Sequence, residues 1–356
     1  MAESRPYDIL IYGAYGYTGK LVAQLAAKKQ LSALLAGRSE APLSALAEQL
    51  NLPYQVVSLD HAEALESCLR QCKLVIHCAG PFSRTARQMA TACLRAGTHY
   101  LDITGELAVF EFLHSLESQA QDANIMLMPG VGFDVVPTDC LANRLKAELP
   151  DAHWLELAFV TVGGGISHGI LTSTIERLGT PGAERRNGQL RPVRMGKHGK
   201  WISFGEKRRF VISIPWGDLY TAWVSTGIPN ITTYTGGSPK LHPWLRLLPL
   251  FNPLLRTAWF RALLQKRVDA KVLGPSPEQN AQGYALVYGQ VRNAAGESRE
   301  LRLRVNETYR LTAETALLIA EKVLADQWQP GFHSPAQLYG SGLITEIEGC
   351  RWMASS

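Results

Sequence analysis

Between Tyr7 and Met128 the chain alternates short aliphatic or β-branched runs with amphipathic stretches of helical length. That alternation predicts βαβ units and a parallel sheet. Six strands are expected, over Ile9–Tyr12, Ala33–Ala36, Tyr54–Leu59, Leu74–Cys78, Tyr100–Ile103 and Ile125–Met128. Some helix ends are also legible. Asp60, with Glu63 three residues on, reads as a capping-box start; Ser83 precedes another helix and Gly97 ends it. The fold class that follows is α/β, a Rossmann-like doubly wound parallel sheet over residues 1–150.

Residues 151–330 show a different rhythm, with more strands and fewer helices. Strands are predicted at Trp154–Val162, Phe210–Ile214, Tyr284–Arg292 and Leu301–Tyr309, the last two joined by a hairpin across Asn293 to Glu297. Helices are predicted from His168 to Leu178 and from Thr312 to Asp326. This half reads as a second α+β domain on a mixed sheet, serving substrate binding and dimer contacts. Residues 331–356 are expected to pack back on the first domain.

Composition narrows the classes. Apolar residues make up 46% and charged residues 19% of 356, which is ordinary for globular chains and excludes low-complexity disorder. The six cysteines lack CxxC pairing, so reduced thiols are expected and no metal site is indicated. The N-terminus lacks the basic and apolar regions of a signal peptide, and the apolar stretch Leu247 to Leu264 carries Arg256, Arg261, Pro249 and Pro253. A cytoplasmic location without a membrane span is expected. Charge is uneven: residues 181–271 hold sixteen Lys/Arg against four Asp/Glu, or +12, in a chain of net +5. An anionic partner is suggested.

The first βα junction reads GAYGYTGKLVA, placing Gly13, Gly16 and Gly19 between strand and helix. Glycines there permit a tight turn, let the backbone approach a pyrophosphate and let the helix pack closely, although the spacing is not GxGxxG. Tyr15, Tyr17 and Thr18 share that turn. The second strand ends Gly37-Arg38-Ser39 where an NAD-binding fold would carry an acidic residue. A guanidinium beside a hydroxyl suits a 2′-phosphate, so NADP(H) is favoured; the alternative has Glu40 on an NAD ribose. Asp60 and the run Cys78-Ala79-Gly80-Pro81 sit at later strand ends, where ligands lie in doubly wound sheets. An N-cap and a stiff turn explain them equally well.

The motifs GAYGYTGKLVA, LLAGRS, VIHCAGPF, AGTHYLDITGE and MPGVGFDVVPTD, in this order, resemble the NADP-binding half of the saccharopine dehydrogenase-like oxidoreductases. Downstream, VGGGISHGILTSTIE and PGFHSPAQLYGSGLITEIEG resemble the opening of that family's second domain and its closing helix. WGDLYTAWVSTGIPNITTY resembles the branch called trans-acting enoyl reductases. The resemblance implies a two-domain, dimeric NADPH-dependent reductase. An enoyl or other unsaturated acyl group on a thioester or lipid is the favoured substrate, and a saccharopine-type amino-acid substrate the weaker one.

Candidates for the proton donor lie near the ends of strands five and six and in the glycine-rich segment, namely His99, Tyr100, Asp102, Asp134 and His168. Tyr100, Asp102 and His168 are carried forward, although Asp102 is also expected to hold backbone or ribose groups. Asp134 and Asp139 read as turn and N-cap residues, and solvent is an alternative source. From Trp244 to Val268, Leu, Phe and Trp recur at helical spacing among purely basic charges. This suits a lipid-facing helix peripheral to a membrane, although a core or dimer helix is the first expectation. A membrane-attached, non-catalytic NADP-binding protein is the alternative to an enzyme. The basic run Arg185, Arg186, Arg191, Arg194, Lys197 and Lys200 is expected as a solvated loop, with an acidic carrier protein or coenzyme A phosphates as alternative partners. Nucleic-acid modules have no counterpart here.

Overall fold

The computed structural model describes residues 5–163, 172, 175, 178–205, 207–245, 248–271 and 283–354. The chain divides into two compact units.

The first unit comprises residues up to Val136 plus Tyr309–Leu338. Its strands are β1 (Tyr7–Tyr12), β2 (Ala33–Gly37), β3 (Tyr54–Val56), β4 (Cys72–His77), β5 (His99–Asp102) and β6 (Met126–Met128). They alternate with α1 (Tyr17–Lys28), α2 (Glu40–Leu50), α3 (Ala62–Arg70), α4 (Phe82–Ala96), α5 (Leu107–His114) and α6 (Glu117–Asp122). All pair in parallel in the order β6-β5-β4-β1-β2-β3. Ile9, Leu10 and Ile11 are wholly buried, as are Leu74 and Ile76, because helices cover both faces. The strand order reverses between β1 and β4, and in such sheets ligands bind at the carboxyl ends of the strands flanking that point.

The predicted strands are all present, with shifted edges. β3 ends at Val56, and the Val57 amide makes its last bond, to the Gly37 carbonyl. Gly97 closes α4 at φ +64°. Asp60 is not an N-cap: α3 begins at Ala62 after His61, and the Asp60 amide instead donates to Ser58 Oγ. The seventh strand, Gly331–Phe332, pairs with β6.

The second unit comprises Pro137–Thr308 and Tyr339–Ser356. Its path of strands carries the order β10-β11-β12-β7-β13-β14-β16, where β7 is Trp154–Val162, β10 Gly199–Ser203, β11 Arg208–Ser213, β12 Asn230–Gly236, β13 Tyr284–Arg292, β14 Ser298–Asn306 and β16 Arg351–Met353. Only β12 with β7 is parallel on that path, so the sheet is mixed. The hairpin β8 (Gly182–Arg186) and β9 (Gln189–Val193) attaches to β12.

One face of this sheet packs on α7 (Val136–Glu148). A Cβ at Gly289 would lie 2.0 Å from Leu141, so glycine is what lets the helix seat on β13. The other face buries Ala158, Val160, Ile202, Phe204, Val211, Tyr234 and Tyr288 as one cluster. The sheet curls enough for Arg302 Nε on β14 to donate to the Ser203 carbonyl at the far end of β10.

These contacts divide the chain near 136 and 309 rather than at 150 and 331. α7 goes with the sheet it covers, and the helix Thr308–Leu324 goes with the first unit through Thr315, whose hydroxyl donates to the Val131 carbonyl. The terminal segment is shared: Gly331–Phe332 joins the parallel sheet and β16 joins β14. β14 runs three residues earlier than expected, because the Asn293 to Glu297 turn starts its pairing at Ser298. All six cysteines are free thiols.

Candidate nucleotide-binding site

The glycine turn is built against its neighbours. Gly13 has φ +78°, and a Cβ there would come within 2.9 Å of the Ala79 amide nitrogen. A Cβ at Gly19 would lie 2.2 Å from the Gly13 carbonyl oxygen, inside any tolerable contact. Gly13 therefore brings β1 and β4 together, and Gly19 seats α1 on the turn. Gly16 is the N-cap of α1 and offers no side chain, and the first turn of α1 holds no acidic residue. Its amides and the positive end of its dipole are available to an anion.

Around this turn lie most of the other predicted contacts. The Tyr15 hydroxyl donates to Ser39 Oγ at 3.3 Å, and its ring lies so close to Gly37 that a Cβ there would meet it at 2.6 Å. Tyr15 thus floors the end of β2, from which Arg38 projects, exposed and without an ion pair among the described residues. Tyr17 stacks edge-on against Tyr309, 4.8 Å between centroids, and Thr18 follows it in α1. Asp60 is exposed just beyond β3. The Tyr12 hydroxyl donates to the Val57 carbonyl, and burial pushes it up to about 12. These features fit a phosphorylated dinucleotide: a main-chain cradle that a Cβ would fill, and an uncommitted guanidinium beside a hydroxyl at the ribose end.

Cys78, Ala79, Gly80 and Pro81 follow β4, with Gly80 exposed and Cys78 half-buried. A hydrogen-bonded chain holds this loop. Thr85 Oγ1 lies 2.7 Å from the Ala79 carbonyl and 3.0 Å from His77 Nε2. The hydroxyl spends its proton on the carbonyl, so His77 must donate from Nε2, leaving Nδ1 a bare acceptor that has no partner among the described residues. Burial lowers the His77 pKa to about 3, so the ring is neutral.

Tyr100 and Asp102 bond to each other and to the loops around them. Both are wholly buried, and the Tyr100 hydroxyl donates to Asp102 Oδ2 at 2.6 Å. Asp102 Oδ1 accepts from the amides of Thr104 at 3.0 Å and Gly130 at 2.9 Å. The Asp102 carbonyl accepts from the Val131 amide. One carboxylate thereby pins the loops after β5 and β6. Burial raises its pKa to about 6, against the pull of these donors, and burial also raises that of Tyr100. In this arrangement the pair ties the ends of β5 and β6 together.

The network continues through residues the sequence did not single out. Thr104 Oγ1 accepts from the Glu106 amide at 3.1 Å, and the Glu106 carboxylate accepts from the Phe82 and Ser83 amides at 3.0 and 3.1 Å. Glu106 therefore caps α4 from across the sheet. The alternation Asp102-x-Thr104-x-Glu106 was visible, but its partner lies 24 residues upstream. His99 accepts from the Met126 amide at Nδ1, a structural role. Asp139 accepts from Ser225 inside the second unit, and a Cβ at Gly105 would meet Asp134. His168 lies outside the described residues.

In the second unit the basic run is not one solvated loop. Arg185 is buried, donates to the Leu219 and Gly188 carbonyls and stacks on Trp223. Arg186, Lys197 and His198 surround Glu184, whose side chain is 7% exposed, and Lys200 pairs with Glu156. Arg191 and Arg194 are the two that stay exposed without an ion pair among the described residues. A shallow groove of about 350 Å³ lies on the sheet, lined by Val160, Thr161, Arg209, Phe210 and Thr235 to Gly237. No cluster of metal-ligating side chains occurs among the described residues.

Residues 9–128 match the family model of the saccharopine dehydrogenase NADP binding domain. The trans-acting enoyl reductase of Mycobacterium ulcerans is 32% identical over 165 residues, 44% of this chain and 40% of that protein. The saccharopine dehydrogenase-like oxidoreductase of Mus musculus is 26% identical over 236 residues, 59% and 54% respectively. The chain spans about half the length of the curated relatives it matches. Among solved structures, apo saccharopine dehydrogenase (L-Glu forming) from Saccharomyces cerevisiae covers 98% of this chain and 100% of its own, with a TM-score of 0.67 at 12% identity. The homospermidine synthase of Legionella pneumophila, solved with NAD, covers 95% and 88% with a TM-score of 0.61 at 11% identity. These two establish the fold. The glycine cradle, the match over its strands and the similarity to saccharopine dehydrogenase-like oxidoreductases agree: residues 9–128 are similar to the saccharopine dehydrogenase NADP binding domain, and the cofactor is NADP(H).

Proposed function

We propose that the protein is an NADPH-dependent oxidoreductase that reduces an enoyl or related unsaturated acyl group carried on a thioester or lipid. The observation that carries the cofactor half is the turn at Gly13 and Gly19, where no side chain fits, with the uncommitted Arg38 at the end of the next strand. The acyl half is supported by the relatives named trans-acting enoyl reductases.

When bound, NADPH supplies the hydride. The main-chain amides of the glycine turn and of α1 hold the pyrophosphate; Arg38 and Ser39 hold the 2′-phosphate. The loops at Gly80, Thr104 and Gly130 are held rigid by His77, Asp102 and Glu106, which is the preorganisation a hydride transfer needs. Tyr100 and Asp102 position these loops and do not donate the proton. His168 and solvent are the sources proposed for it.

Incubation of the full chain with NADPH and a series of α,β-unsaturated acyl thioesters tests this reading. Loss of NADPH fluorescence with formation of the saturated thioester is the expected result. Tight NADPH binding without oxidation on any acyl length would overturn the acyl half and leave the cofactor half standing.

A further inference from the structure

The helical segment between β12 and β13 turns its apolar side outward. It contains the helices His242–Leu245, Leu248–Leu255 and Ala258–Lys271. Six of the nine large hydrophobic side chains exposed among the described residues lie here: Leu241, Trp244, Leu250, Phe251, Trp259 and Leu263, at 45% to 74% exposure.

The longest of the three helices shows the inversion most directly. Ala258, Trp259, Ala262, Leu263, Lys266 and Arg267 are all exposed and recur at three- and four-residue intervals, so they form one stripe. Its first two turns are apolar and its third is basic. Polar side chains point the other way. Arg261 donates to the Leu255 and Leu178 carbonyls, and Gln265 donates to Thr172 Oγ1. Arg256, on the adjoining turn, donates to the Gly179 carbonyl. The segment is thus tied down by its hydrogen-bonding residues together with the half-buried Phe260, Leu264 and Val268, while Trp259 and Leu263 meet solvent. An ordinary surface helix does the reverse.

We propose that this segment docks the protein onto an anionic phospholipid surface. Between residues 238 and 268 the sequence has Lys240, Arg246, Arg256, Arg261, Lys266 and Arg267 and no Asp or Glu. Such charge complements anionic headgroups, at about 1 kcal/mol per basic residue close to the surface. Trp and Leu enter the headgroup and acyl boundary, where an amphipathic helix lies in plane. A second copy of the chain is a poor occupant, because two such stripes would bring Lys266 and Arg267 of each copy together, four positive charges with no counter-charge on the stripe. The 14-residue helix is about 21 Å long, short of the ~30 Å hydrocarbon core, and no helix among the described residues is long and apolar enough to cross a membrane. The helices therefore lie on the bilayer. This inference rests on the second unit alone and is independent of the acyl substrate.

Co-sedimentation of the full chain with vesicles tests it, using phosphatidylcholine alone and phosphatidylcholine with about one-third phosphatidylserine. Binding to the anionic vesicles at least about tenfold tighter than to the neutral ones is expected, weakening with salt, with a blue shift of tryptophan emission. Trp259→Ser with Leu263→Ser should lower the affinity about tenfold or more, and Lys266→Glu with Arg267→Glu should remove the preference for anionic vesicles. Both pairs replace exposed side chains, and unchanged NADPH titration shows that they fold. Wild-type protein that ignores anionic vesicles would overturn the proposal, as would two folded variants that bind like wild type. A dimer in sedimentation equilibrium that dissociates in the Trp259→Ser, Leu263→Ser variant would place a second copy on this face instead.

Discussion

Two helices of similar length, one in each unit, place their large apolar side chains differently. In the first unit, α4 buries Ala86, Met89, Ala90 and Cys93 against the parallel sheet and leaves Arg84, Arg87 and Gln88 exposed. In the second, the helix Ala258–Lys271 ties Arg261 and Gln265 to the protein and exposes Trp259 and Leu263. Periodicity alone says that a helix has two faces. Which face the protein keeps depends on whether the covering layer belongs to the same chain, and only the first helix has its layer there.

The sharpest way to break this comparison is truncation on each helix. Met89 is wholly buried, and Met89→Ala should cost about 2–5 kcal/mol in urea unfolding, through lost burial and a residual cavity. A loss below about 1 kcal/mol would mean that α4 is not a core helix.

Buried ionisable groups make the first unit sensitive to acid. The His77 pKa is about 3 in the folded protein against an ordinary 6.5, so between these pH values the unfolded chain holds a proton that the folded chain does not. Stability from this group is present above pH 6.5 and falls as pH drops, by up to ~1.4 kcal/mol per unit. His99, lowered to about 4 by burial and by Arg5, acts in the same direction. Asp102 acts in the opposite one: raised to about 6 from 3.8, its folded carboxyl holds a proton that the unfolded chain has lost, so its contribution falls as pH rises through that window. The two histidines outweigh it. His77→Gln keeps a donor for Thr85 without titrating, and thermal melts between pH 7 and 4 should show a shallower loss than wild type.

At the cofactor end, Arg38→Asp should weaken NADPH binding by about 1.5–3 kcal/mol in calorimetry, the worth of hydrogen bonds to a charged group, with little change for NADH. Equal losses for both would detach Arg38 from the 2′-phosphate. Tyr100→Phe removes one donor from Asp102 and should cost about 1–2 kcal/mol of stability while kcat per folded molecule is kept. A collapse of kcat with normal stability would restore Tyr100 as a proton donor. The smallest expected effect sharpens the opening contrast: Leu263→Ser, on the outward stripe, should move stability by no more than about 0.5 kcal/mol.

How far these features could be read in advance follows the range of the forces involved. The six strands of the first unit, its glycine turn and the stop at Gly97 were legible, since each depends on side-chain alternation or on a backbone angle within a few residues. The hairpin at Asn293 was legible for the same reason, as its side chain accepts from the Glu297 amide. Asp60 misled, because a capping-box spacing predicts a helix start only if the chain enters the helix there, and Ser58 turns it first.

Sequence by itself determined the parallel sheet, the place of the glycine turn and the arginine beyond the next strand, because those follow from local periodicity and from the room a missing Cβ leaves. Tertiary structure alone decided that the Tyr100 hydroxyl donates to Asp102 and that Glu106 caps a helix 24 residues upstream. It also decided that Arg185 is buried and that Trp259 and Leu263 face outward. A polar side chain's role depends on which distant backbone groups arrive beside it, and an apolar one's on which surface remains to cover it. Neither is encoded at short range.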